Sequence, residues 1–102
     1  MEIDELAGRI GALGDEVSGA ADRLGRTDPG PEAFAGDASG RLGELGRALH
    51  AQWRAALAAR EREAAAAGAR LTDLAGALRT AADGYRDAED AAHRRHRRAG
   101  AP

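Results

Sequence analysis

The sequence predicts an all-α fold: a helical hairpin with a short first arm and a long second helix, expected to dimerise into a four-helix bundle. Three observations predict it. Apolar residues recur in steps of three and four along residues 3–24 and again along 64–92, the period of a helix laid along another helix. Between the two runs, residues 25–31 carry two prolines and two glycines. Aromatics make up 3% of the 102 residues and much of the rest of the apolar content is alanine, so a hairpin built from this chain buries little area and calls for a partner. The expected division is one hairpin domain over 1–97 and a flexible tail over 98–102.

The first helix is expected over residues 2–25. Ile3, Leu6, Ile10, Leu13, Val17, Ala20 and Leu24 form one apolar stripe, and Asp4, Glu5, Arg9, Asp15 and Glu16 stand between them as a solvated face. Gly8, Gly11, Gly14 and Gly19 lie off the stripe, and each costs ~1 kcal/mol relative to alanine in a helix, so packing has to hold this arm. Gly25 can end it and Pro29 stops any extension. Pro31 or Glu32 can open the next helix. Over residues 32–50, Phe34, Ala38, Leu42, Leu45 and Leu49 keep helical spacing, while Gly36, Gly40, Gly43 and Gly46 weaken the backbone. A short, partly frayed helix capped near Asp37 or Ser39 fits this stretch. The glycines share neighbouring parts of one face, where another helix could come close.

The second helix is expected from about Gly46, or from as early as Glu32, to about Arg97. Ala64, Ala67, Leu71, Leu74, Leu78, Ala81, Tyr85, Ala88 and Ala92 hold a heptad seam, and no proline interrupts it. At 1.5 Å per residue this helix is ~70–100 Å long against ~36 Å for the first. The arms do not match, so either the long helix kinks or a partner covers the excess. In a matched hairpin Leu6, Ile10, Leu13 and Val17 would face leucines of the second arm. Trp53 and the stripe Leu71, Leu74 and Leu78 are the expected partner interface, since buried aromatics carry much of the energy of an interface. The partner is a helical protein, a second copy or a different chain.

The composition bounds the chemistry. There are no cysteines, so neither a disulfide framework nor a thiolate metal site is possible. No apolar run approaches ~20 residues, and the acidic start does not read as a secretory signal; no stable membrane insertion is expected. The formal net charge of −2 hides an asymmetry: residues 91–102 hold four arginines and no acid, while the rest of the chain is acidic. Four arginines on one or two turns, without an interleaved aromatic, do not make a nucleic-acid reader. His93 and His96 stand one turn apart after Asp90, but no third and fourth ligand has motif spacing. They fit a basic helix end that complements the helix dipole. His50 has no readable role. Gly40, Gly43 and Gly46 are not followed by Lys-Ser/Thr, so they make no phosphate loop. No catalytic, cofactor-binding or metal site is expected, and no enzyme.

Near the end of the long seam stands Tyr85-Arg-Asp-Ala-Glu89, an aromatic and an acid sharing one helix face. With two helical arms, a mid-chain Trp53 and the break Pro31-Glu-Ala-Phe34-Ala-Gly36-Asp, the chain resembles the WXG-type substrates of the bacterial type VII (ESX) secretion system. It is most similar to their EspC-like branch, over roughly residues 3–90. Its Ala, Gly and Arg bias matches the GC-rich actinobacteria in which these systems abound. Trp53 is followed by Arg54 and Ala55 rather than by a Trp-x-Gly turn, which sets it apart from the main WXG branch. The resemblance implies that Tyr85 and Glu89 form an export signal, presented by a helical dimer to a secretion ATPase. It implies a cytoplasmic protein before export that is afterwards secreted or held at the cell surface. The residues alone also fit a cytosolic coiled-coil adaptor or regulatory module with a basic C-terminal tail.

Overall fold

In a computed structural model, which describes residues 2–100, the chain forms two α-helices: α1 (Ile3–Gly25) and α2 (Gly40–Gly100), with a single 3-10 turn at Pro31–Phe34 between them. No strand occurs among the described residues. The architecture is the short first arm and long second helix that the periodicity predicts. Met1 and residues 101–102, the end of the expected tail, lie outside the described residues; α2 itself continues through Arg97 and Arg98 to Gly100.

The helices are antiparallel, and α1 lies along residues 61–86 of α2. Gly25 stands beside Glu61, Gly14 beside Gly68 and Leu71, Gly11 beside Ala75, and Asp4 beside Arg86. The buried residues of this pair are Ala7, Gly14 and Ala21 on α1 and Gly68, Ala75 and Ala82 on α2. Each set is spaced by seven, so two heptad lines of small residues face one another. Ile10, Val17 and Leu24 alternate with the first set, and Leu71 and Leu78 with the second, all half-buried. At roughly half of a full side-chain burial, each of these contributes about 1 kcal/mol.

This seam corrects the expected packing. Ile10 and Val17 do face the second arm. Leu6 and Leu13 do not, and they stand on the exposed flank with Leu74. The close approach of the backbones explains the rotation. A Cβ at Gly14 would sit 3.0 Å from the Gly68 carbonyl oxygen, and one at Gly68 would sit 3.0 Å from that of Gly14. Only the smallest residues fit this line, and the leucines are displaced to its margins.

α1 starts with Asp4 and Glu5 in its first turn and ends with Arg23 in its last, which matches the helix dipole at both ends. Its last carbonyls are taken by the Arg26 N–H (3.1 Å, to Arg23), the Thr27 N–H (3.1 Å, to Leu24) and the Thr27 hydroxyl (2.8 Å, to Leu24). The chain does not turn straight into α2. Because α1 ends at the level of Glu61 and α2 begins at Gly40, residues 26–39 travel back along α2 as a strap. The expected frayed helix over 32–50 is therefore a 3-10 turn, an irregular stretch to Ser39, and the first turns of α2. Gly30 has φ 89°, open to glycine, and Ala35 sits at φ 60° in the left-handed region, so helical spacing from Phe34 to Leu42 does not yield a helix. The strap rests on Gly43 and Gly46, both buried: a Cβ at Gly43 would run into the Ala38 carbonyl, and one at Gly46 into that of Phe34. The glycine face does admit a close neighbour, and that neighbour is the chain's own strap.

Candidate functional site

The strap is fixed to α2 by one polar clasp and one aromatic cluster. Asp28 precedes Pro29-Gly30, and its Oδ1 accepts the Gly30 N–H at 3.1 Å, the side-chain turn that aspartate makes before such a pair. The same oxygen accepts from His50 Nε2 at 2.8 Å, and Oδ2 lies 3.6 Å from Arg54 Nε. The Gly30 amide first, and then His50, hold the Asp28 carboxyl below its ordinary value of 3.8. The His50 side chain is 12% exposed. Phe34 packs on His50 and Trp53, with ring centroids 5.8 and 6.4 Å apart. Arg47 Nη1 donates to the Gly36 carbonyl at 2.8 Å. Sequence reasoning gave His50 no role. The Asp-Pro-Gly turn was readable, but nothing local to residue 50 points to a partner 22 positions away.

At the other end of the hairpin, the seam positions of α2 run 64, 68, 71, 75, 78, 82 and continue in the same steps to 85 and 89. α1 ends its coverage at this level. Arg86 Nη1 donates to Asp4 Oδ2 at 2.6 Å, and its Nη2 donates to Asp83. Hydrogen bonds to Asp4 first, and then to Asp83, raise the Arg86 guanidinium further above its already high range. An exposed ion pair of this kind stabilises little; what it does is pin the first turn of α1 beside Tyr85. Tyr85 is 66% exposed, and Glu89 is exposed as well. Tyr85 lies at the level where α1 begins, and the first arm leaves most of it exposed. Tyr85 and Glu89 thus occupy the helix face that is buried one turn earlier at Ala82.

The four residues expected at a partner interface separate into two pairs. Leu71 lies against α1, where a Cβ on Gly14 would stand 3.2 Å from its own Cβ, and Leu78 follows on the same half-buried line. Leu74, 48% exposed, and Trp53, 44% exposed, are on the outside. Trp53 lies inside α2 rather than at a hairpin tip. A wholly apolar hollow of about 230 Å³ opens beside it, lined by Leu24, Ala56, Leu57 and the stem of Arg60. His93 and His96 are exposed on the last turns of α2, and no three His, Asp or Glu side chains converge as metal ligands among the described residues. Among those residues no helix is long and apolar enough to cross a membrane.

A family comparison covers this two-helix chain: residues 3–95 match the family described as excreted virulence factor EspC, type VII ESX diderm. The chain belongs to the EspC family. The match spans both helices and the strap, and it ends within the basic turns of α2. Neither the curated proteins nor the solved structures compared contain a match. The family is that of an excreted type VII factor, so this EspC-family chain is a type VII secretion substrate by membership.

Proposed function

We propose that this EspC-family chain carries its export signal in Tyr85 and Glu89, and that it acts through protein–protein contact and not as an enzyme. The observation that carries the reading is the register of the pair. Both side chains are exposed on the seam face of α2, Tyr85 in the last turn that α1 reaches and Glu89 in the first turn beyond it. A receptor reading an aromatic and an acid needs their spacing fixed, and one continuous helix fixes it at i, i+4. The arginines at 94, 95, 97 and 98 follow within three turns, so the acid stands between the hairpin body and a cationic end. The receptor is the secretion ATPase, and the chain is cytoplasmic until that contact is made, then released outside or held at the cell surface. A helical partner covers Trp53 and Leu74, with Leu71 and Leu78 supporting that surface from the seam side.

The test replaces Tyr85 with Ala and, separately, Glu89 with Gln, in the native host. Export is expected to fall at least tenfold in each, while helical content and size in solution stay unchanged, because both side chains are exposed and neither holds the hairpin. Unchanged export of Glu89→Gln would leave the pair without a signalling role. The coiled-coil adaptor with a basic tail would then take its place.

A further inference from the structure

The last turns of α2 carry two different faces. α1 begins level with Arg86, so residues 87–100 have no helix against them. Arg94, Arg95, Arg97 and Arg98 are all exposed there, and among the described residues none of the four makes an ion pair. At about 100° per residue the four arginines fall within an arc of about 160°, with Arg94 diametrically opposite Tyr85. Tyr85, Glu89, Ala92, His93 and His96 share the other side. No aspartate or glutamate follows Asp90, and no large apolar side chain follows Tyr85. This end can lie on an anionic surface, but it has nothing to insert into one.

Position along the axis decides which charge such a surface feels. The chain carries −2 in total and four arginines without an acid over residues 91–102, which leaves −6 elsewhere. Contact along the side of the rod is therefore repulsive. The nearest acids, Asp87, Glu89 and Asp90, stand on average about 11 Å before the arginines along the helix. When the end of the rod touches a plane, the arginines act at contact, while a Debye length of ~8 Å screens those acids to about a quarter. Asp83 and Asp4 lie farther off and are paired with Arg86. A duplex groove would enclose a similar arc, but its phosphates run on along the helix and would meet Asp90, Asp87 and Asp83. A bilayer needs only the tip. Its headgroups also rearrange around arginines that point in four directions, which the fixed pockets of a folded partner would have to match one by one.

We propose that the exposed end of α2 is a docking site for anionic phospholipid, met end-on by Arg94, Arg95, Arg97 and Arg98 and without insertion. The inference goes beyond the export signal and does not rest on it. With Arg94 opposite Tyr85, the seam face stays open to a receptor while the arginines lie on the headgroups. An arginine near an anionic leaflet strengthens partitioning about fivefold, so four give about several hundredfold, a reversible and salt-sensitive contact.

The test is flotation with vesicles of phosphatidylcholine, alone or in equal parts with phosphatidylglycerol. At about 0.1 M salt the chain is expected to float at least tenfold more with the anionic vesicles, and at about 1 M salt, where the Debye length is ~3 Å, to lose that excess. Arg94→Gln/Arg95→Gln/Arg97→Gln/Arg98→Gln is expected to lose it at either salt. Arg9→Gln/Arg41→Gln/Arg62→Gln/Arg70→Gln makes the same charge change at four exposed arginines of the body and is expected to keep it. Equal loss in both variants would overturn the site, because net charge alone would then explain the binding. So would flotation no greater with anionic than with neutral vesicles, and so would capture of a DNA duplex without flotation. The chain has no cysteine, so a fluorophore on Ala99→Cys or on Ala12→Cys reports the orientation. Quenching by headgroup-labelled lipid is expected for the first alone, and equal quenching of both would overturn end-on contact. Flotation together with normal export of Glu89→Gln would sink the export signal alone. No flotation together with lost export of Glu89→Gln would sink the lipid site alone.

Discussion

At the scale of single residues, the chemistry of this chain gathers in the strap. Asp28 accepts from the Gly30 amide and from His50, and faces Arg54. Its carboxyl is held below the ordinary value of 3.8, so its contribution to stability is present above that value and is lost as pH falls through the lowered one. The difference in thermal midpoint between the wild type and Asp28→Asn is therefore expected to be constant at neutral pH and to close only below about pH 3.8. A gap that instead opens on acidification would show that the clasp does not depend on the ionised carboxylate. Half of this clasp was legible: aspartate before Pro-Gly announces a side-chain turn, while His50 looked like any helical histidine because its partner is distant in sequence. Tyr85 and Glu89 were legible as a pair because a helix fixes i, i+4 without help from tertiary structure. Their exposure was not, since it depends on where α1 stops.

At the scale of the elements, the period was readable and the rotation was not. Counting large side chains places the seam on Leu6, Leu13 and Leu74, but the buried line passes one position further on, through Ala7, Gly14 and Ala75. Two backbones that touch bury the smallest residues, and a pattern of large apolar residues marks the rim of such a contact rather than its centre. The glycines of the chain therefore differ in kind. At Gly76 a Cβ would meet nothing within 4 Å, so Gly76→Ala is expected to stabilise the fold by ~1 kcal/mol in urea unfolding. Gly14→Leu would push into the Gly68 carbonyl and the Leu71 side chain and is expected to destabilise by about 1–3 kcal/mol despite the better helix former. At Gly46 the obstacle is the Phe34 carbonyl. Gly46→Ala is expected to lift the strap and leave the α1–α2 seam intact. The chain's single tryptophan, packed on Phe34, reports this as red-shifted emission at unchanged helical content. Emission identical to wild type would mean that the strap does not rest on that glycine.

At the scale of the whole molecule, the hairpin is a rod of 96 × 14 × 14 Å with a radius of gyration of 25.5 Å, about twice the ~13 Å of a compact chain of 100 residues. The mismatch of the arms was legible from helix lengths; that α2 meets it as one helix without a break was not, because a kink and a straight helix share the same apolar period. X-ray scattering from Leu74→Asp, a substitution on the exposed flank expected to hold the chain monomeric, should return a radius of gyration near 25.5 Å. A much smaller value would mean that α2 folds back on itself. This straightness also sets a gradient of amide exchange along one helix. Residues 40–57 shelter under the strap and 61–86 under α1, but 87–100 have no helix against them. Fourteen or so helical residues without packing are marginal in water, so their amides should exchange orders of magnitude faster than those near Ala75. Tyr85 stands on the slow side of that boundary and Glu89 on the fast side. A receptor that reads the pair on one wound helix is therefore expected to slow amide exchange in the turns just beyond Tyr85.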